Sequence, residues 1–81
     1  MVWKGKSGDD FKKEYDSDRE LQPLFDFAIE LILYSDDPSK LPLTISCPGH
    51  PDSCMINLQN AHAVIFRIHG KINRIEFIHC Q

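Results

Sequence analysis

Two runs rich in β-branched and aromatic residues, Ala61 to Ile68 and Lys71 to His79, flank the dipeptide His69-Gly70. Such runs, joined by two residues of which one readily takes positive φ, predict a β-hairpin. A two-residue connection pairs Ile68 with Lys71, Val64 with Ile75 and His62 with Phe77. Side chains alternate along a strand, so His62, Val64, Phe66, Ile68, Ile75, Phe77 and His79 are expected to share the core face. Ala63, Ile65, Arg67, Ile72, Arg74, Glu76 and Ile78 then line the other face, with two guanidiniums close together.

A hairpin alone is marginal in water and needs something to cover its apolar face. The covering element lies upstream. From Leu24 to Tyr34 the chain is apolar except for Asp26 and Glu30. A helix here is greasy around most of its circumference, which predicts burial against the sheet and also against another helix or a partner protein. Ser17-Asp18-Arg19-Glu20 reads as a capping box for this helix, although Pro23 fits better if the start slides to about Leu21. Before it, Ser7-Gly8-Asp9-Asp10 predicts the start of a shorter helix, with Phe11 and Tyr15 on one face. Leu43 to Cys47 and Met55 to Gln59 are further strand candidates, separated by a loop rich in Pro, Gly, Asp and Ser. The expected architecture is α+β: two N-terminal helices packed on a three- to four-stranded antiparallel sheet that ends in a β-hairpin.

With 81 residues, 42% of them hydrophobic and 26% charged, the chain supports one core, and residues 1–81 are read as a single domain. No run of 18 apolar residues occurs, and the opening MVWKGKSGDDFKKEYD lacks the apolar stretch of a signal peptide. A cytoplasmic protein with no membrane segment is the expectation. Three cysteines, an odd number, fit a reduced chain, with a bridge such as Cys47–Cys54 left open as an alternative. The formal charge of −3 is unevenly spread: residues 1–40 hold six Lys/Arg against ten Asp/Glu, whereas residues 41–81 hold three against two and all four histidines. This is not the dense cationic footprint of a typical nucleic-acid binder.

Two constellations could carry chemistry. Cys47, His50 and Cys54 lie within eight residues, and Cys80 stands at the far end of the hairpin, so four ligands are numerically available for a structural zinc ion. The spacing is not a paired CxxC pattern, and unliganded loop residues are the competing reading. Arg67, Lys71 and Arg74 make the clustered positive charge of the second half. They can bind phosphate or a partner's carboxylates, or form a solvated cross-strand network with Glu76. No GxSxG, HExxH, P-loop or GxGxxG occurs, so serine hydrolase, zinc protease and nucleotide-binding readings have no support.

The stretch Ala28-Ile29-Glu30-Leu31 continuing through Asp37-Pro38-Ser39-Lys40-Leu41, and the terminal His62-Ala63-Val64-Ile65-Phe66-Arg67-Ile68, Gly70 and Arg74-Ile75-Glu76-Phe77-Ile78-His79-Cys80, resemble the RelE/ParE superfamily of small bacterial toxins. The resemblance implies an opening strand at about Met1 to Lys4, an antitoxin-like protein partner and, in ribosome-dependent members, RNA cleavage. It leaves His79, at a family motif position, and His62 as catalytic candidates, with Arg67 and Arg74 beside them. Where the family carries its hairpin arginine and its closing arginine, this chain has Ala63 and Cys80. The leading expectation is therefore a degenerate, non-catalytic, toxin-like interaction module. An active RNA-cleaving toxin, a zinc-stabilised interaction domain and a phage-type inhibitor are the alternatives, and the greasy helix leaves a dimer open.

Overall fold

The computed structural model describes residues 3–42, 44–47 and 50–81, with the side chains of Cys47, His50, Pro51 and Asp52 outside the description. In chain order the elements are β1 (Lys4–Ser7), α1 (Asp9–Ser17), α2 (Gln22–Leu33), β2 (Thr44–Cys47), β3 (His50–Asn57), β4 (Ala63–His69) and β5 (Arg74–Cys80). The strands form one sheet in the order β1-β5-β4-β3-β2. β2 to β5 are a run of antiparallel neighbours, while β1 pairs with β5 in parallel. The protein is thus α+β with two helices, but its sheet is five-stranded and mixed instead of three- or four-stranded and antiparallel. A strand also precedes the helices, and it covers Lys4–Ser7 instead of stopping at Lys4.

Both helices lie against one face of the sheet. Phe11 from α1 and Phe25, Ala28 and Ile32 from α2 are buried with Cys54, Ile56, Val64, Phe66, Ile75, Phe77 and Cys80 of the sheet. The 25/28/32 spacing is the inward stripe of a 3.6-residue period. Phe11 packs its ring 5.5 Å from Phe77 and 6.2 Å from Tyr15, as expected for residues four apart on α1. Gly5 lets β1 pass under α2: a Cβ there would stand 3.1 Å from the Phe77 ring and 3.3 Å from Leu33. The start of β1 is also tied to the end of α2, because Trp3 Nε1 donates to the Ser35 carbonyl at 2.9 Å.

The expected capping box is not formed. Ser17 donates its hydroxyl to the Glu14 carbonyl, and Asp18 accepts from the Glu20 amide in a local turn. α2 begins instead at Gln22 with Pro23 in its first turn, where the missing N–H costs nothing.

The hairpin forms, with a different register. His69 faces Arg74, Ile68 faces Ile75 and Phe66 faces Phe77, so the connection is four residues long. The residue with positive φ is Asn73 (φ 54°, ψ 44°), not Gly70. Asparagine is among the few side chains that tolerate this region. The register moves by four, an even number, so Val64, Phe66, Ile75 and Phe77 still face the core. A bulge between Ile65 and Phe66 then pairs Ile65 with His79 and Val64 with Cys80, which gives Cys80 the core position expected for His79.

Candidate functional site

The uncovered face of the sheet is built from the alternation that the core leaves over. Gly5 faces the helices, so Lys4 and Lys6 point away from them. The registers align two rows across three strands: Lys4, Arg74 and His69, then Lys6, Glu76 and Arg67. Arg67 reaches on toward β3, with its Nε 3.5 Å from Ser53 Oγ, the outer limit of a hydrogen bond. His69 Nε2 lies 3.1 Å from Glu76 Oε1. An ionised carboxylate only accepts, so this ring nitrogen carries the proton. Lys71 is exposed in the turn. Among the described residues, no carboxylate comes within 4.0 Å of Lys4, Lys6, Arg67, Lys71 or Arg74. The expected binding trio of Arg67, Lys71 and Arg74 therefore lies at one end of the hairpin, Arg67 half-buried and the other two exposed. Lys4, Lys6 and His69 join it.

The two histidines singled out as catalytic candidates have separate surroundings. The Nδ1 of His79 is 2.9 Å from Glu14 Oε1 on α1. The ring of His62 meets Phe25 of α2 edge-on, with centroids 6.3 Å apart. The observed register ends with Ala63 bonded to Gln81, so His62 has no place opposite Phe77 and is not the diagonal neighbour of His79. Next to His79, the thiol of Cys80 points at the Phe11 carbonyl, 3.8 Å away. Burial, and secondarily the charge of Glu14, push this thiol up to about 11. It is therefore a protonated core group at neutral pH and a poor nucleophile. Tyr15 is also raised, first by the hydrogen bond it donates to Asp26 at 2.6 Å and then by burial.

Of the four zinc candidates, Cys47 and His50 have side chains outside the described residues. Cys54 and Cys80 are buried thiols on β3 and β5, both within the hydrophobic core. Among the described residues no three His, Cys, Asp or Glu side chains group to hold a metal ion, and no helix is long and apolar enough to cross a membrane.

A second surface lies on the helical side. Phe27, Leu31 and Tyr34 are 60%, 39% and 70% exposed. Together with half-buried Leu24 they follow a 3-4-3 spacing along α2 and its C-cap Tyr34, roughly 110° around the helix from Phe25, Ala28 and Ile32. A broad depression of about 580 Å³ continues this stripe past Glu20, Pro23 and Leu24 to Leu58 and Gln59. Acidic Asp26 and Glu30 flank the stripe and are exposed.

Comparison with family models, curated proteins and solved structures gives no match.

Proposed function

We propose that this chain is a cytoplasmic, non-catalytic protein-interaction module, resembling a degenerate RelE/ParE toxin, that binds an amphipathic helix of a partner protein along the outer side of α2. The observation that carries this reading is the second apolar face of that helix. A 3-4-3 stripe of Leu24, Phe27, Leu31 and Tyr34 is the seam one helix presents to another. Exposed aromatics on a continuous apolar strip are the usual anchors of such contacts. Charge selects the partner's flanks. Asp26, Glu30 and Glu20 border the strip, and the described residues of α1, α2 and their connections are predominantly acidic. A helix with basic residues beside its apolar seam is complementary to that border, whereas a second copy of α2 would set acid against acid.

The non-catalytic reading is supported by the different partners of the two histidines, Phe25 for His62 and Glu14 for His79, and by what replaces the family's arginines. Ala63 and Cys80 are both buried, so a cation at either position would have to leave water without a partner.

The test is a titration of the isotopically labelled chain with a synthetic helical peptide of leucine and lysine heptads. Saturable shifts confined to residues 20–34 and 58–59, weakened at least tenfold in the Phe27→Asp/Leu31→Asp variant, are expected. A titration without saturation, or an unchanged affinity in the double variant, refutes the proposal. So does a sedimentation profile showing a stable dimer through this face, since a second copy would then be the occupant. Growth arrest on expression with cleavage of cellular RNA, abolished by His79→Ala, would overturn the non-catalytic reading.

A further inference from the structure

The helix contact leaves unused a cavity on the opposite face of the sheet, at the tip of the β4–β5 hairpin. It measures about 170 Å³, is open to solvent, and is lined by Lys6, His69, Ile72, Arg74 and Glu76. One water occupies about 30 Å³ in the liquid, so the space accepts a tetrahedral oxyanion with its hydration. Three strands form its walls. Parallel pairing sets Lys6 beside Glu76, and antiparallel pairing sets His69 beside Arg74.

The polar groups divide into two kinds. Glu76 is hydrogen-bonded to His69, with Nε2 3.1 Å from Oε1, and its carboxylate is the one acid lining the cavity, against the two cations Lys6 and Arg74. Lys6 and Arg74 have no such counter-charge within 4.0 Å among the described residues. A rigid guanidinium fork and a mobile ammonium facing one cavity match a ligand with several charged oxygens better than a single carboxylate. Lys71 lines the adjoining hollow of about 350 Å³, which shares His69 and Ile72 with the first and adds a third cation at its rim. Exposed Ile72 gives the two hollows an apolar wall.

We infer that this cavity is a binding site for a phosphate group, held by Arg74 and Lys6 with Lys71 at its rim. The phosphate belongs either to a small ester or to a polynucleotide backbone. Among the described residues this face offers a base one ring, His69, which is engaged with Glu76. The outward residues of the hairpin, β1 and β3, including Lys4, Lys6, Ser53, Met55, Ile65, Arg67, Arg74 and Glu76, contain no Phe, Tyr or Trp on which a base could stack.

The experiment titrates the labelled full chain with inorganic phosphate at constant ionic strength, using chloride as the exchanged anion. Saturable shifts at residue 6 and residues 69–76 are expected. Arg74→Ala and Lys6→Ala should each weaken binding at least fivefold, and Lys13→Ala on α1 should leave it unchanged. If Arg74→Ala fails to fold, Arg74→Gln, which keeps the aliphatic stem, serves in its place. Uridine monophosphate and a ten-residue oligouridylate identify the source. Equal affinities assign a small ester, whereas an oligomer at least tenfold tighter, with an affinity that falls steeply with salt, assigns a polynucleotide; both uphold the site. Linear shifts without saturation, indifference to both substitutions, or equally tight binding of a glutamate decapeptide overturn it.

Discussion

Phe25 and Phe27 are two positions apart on α2 and face opposite ways, which makes their truncation a direct test of how this helix is used. Phe25 is 1% exposed and Phe27 is 60% exposed. Removing a fully buried phenylalanine ring costs about 3–5 kcal/mol, from lost transfer energy and the cavity left behind. For Phe27, about 40% of a side chain of roughly 200 Å² is covered, about 80 Å². At about 25 cal/mol/Å² that is at most about 2 kcal/mol, and nearer 1 after the alanine methyl is credited. A domain of 81 residues holds a total stability of about 4–12 kcal/mol. With a urea slope near 1 kcal/mol/M, Phe25→Ala should lower the midpoint by roughly 3–5 M and Phe27→Ala by roughly 1 M. Fluorescence of the single tryptophan follows the transition, since Trp3 is hydrogen-bonded to Ser35 where β1 meets the end of α2. If Phe25→Ala does not fold at all, Phe25→Leu, which leaves most of the volume in place, should recover a measurable transition. Equal costs at the two positions, within about 1 kcal/mol, would refute the assignment of an inner and an outer face. Phe27→Ala should also weaken the binding of the helical peptide, whereas Phe25→Leu, once folded, should not.

Further outcomes follow from other elements. In the hairpin turn, Asn73→Ala should cost about 1–2 kcal/mol because alanine resists the left-handed region. Gly70→Ala, at an open site without positive φ, should be neutral or stabilise by up to about 1 kcal/mol; paired thermal melts decide both. Asp37 caps the turn at Pro38–Lys40, and the Ser39 hydroxyl, then the Ser39 amide and Lys40, hold its carboxyl below the usual value of 3.8. A depressed folded value means the stabilisation is present above about pH 4 and lost as the pH falls through that folded value. The difference in melting temperature between wild type and Asp37→Ala should therefore shrink below pH 4, and a difference that stays constant to pH 2 would contradict the linkage. With its thiol raised to about 11, Cys80 contributes stability that is present below pH 9 and lost as the pH rises toward 11. Cys80 and Cys54 should resist a thiol reagent at pH 8 until denaturant is added, and rapid labelling of the native protein would contradict their burial.

The parts of this fold legible in the sequence are those with a local period. The inward residues Val64, Phe66, Ile75 and Phe77 of the hairpin follow from spacing alone, whereas a helix apolar around most of its circumference does not single out Phe25, Ala28 and Ile32 as its inner stripe. The hairpin's faces survive a wrong register because the error is even. The bulge between Ile65 and Phe66 has no local signal, and it moves Cys80 into the place expected for His79. The opening strand is harder still. Lys-Gly-Lys-Ser has poor β propensity, and its pairing with Arg74 to Phe77 is entirely non-local. The one cue it offers is the alternation of Lys4 and Lys6 around Gly5, a period-2 pattern with the small residue inward. Ending this strand at Lys4, with its partner unassigned, hides two of the cations, since Arg67, Lys71 and Arg74 are visible in the hairpin but Lys4 and Lys6 enter only through the parallel pairing. The second apolar stripe of α2, by contrast, is plain in the sequence, because every residue from Leu24 to Tyr34 except Asp26 and Glu30 is apolar.

Because β1 joins the sheet beside β5, Lys4 must wait for Arg74, seventy positions downstream. Closing so long a loop costs roughly 2–3 kcal/mol more in chain entropy than closing the four-residue turn between β4 and β5. The first strand made is thus the last to dock, and by the same reckoning the first to leave when the native protein opens locally. It brings Lys6 with it, so an anion that bridges Lys6 and Arg74 fastens the two distant segments together and slows amide exchange in β1 without touching the core.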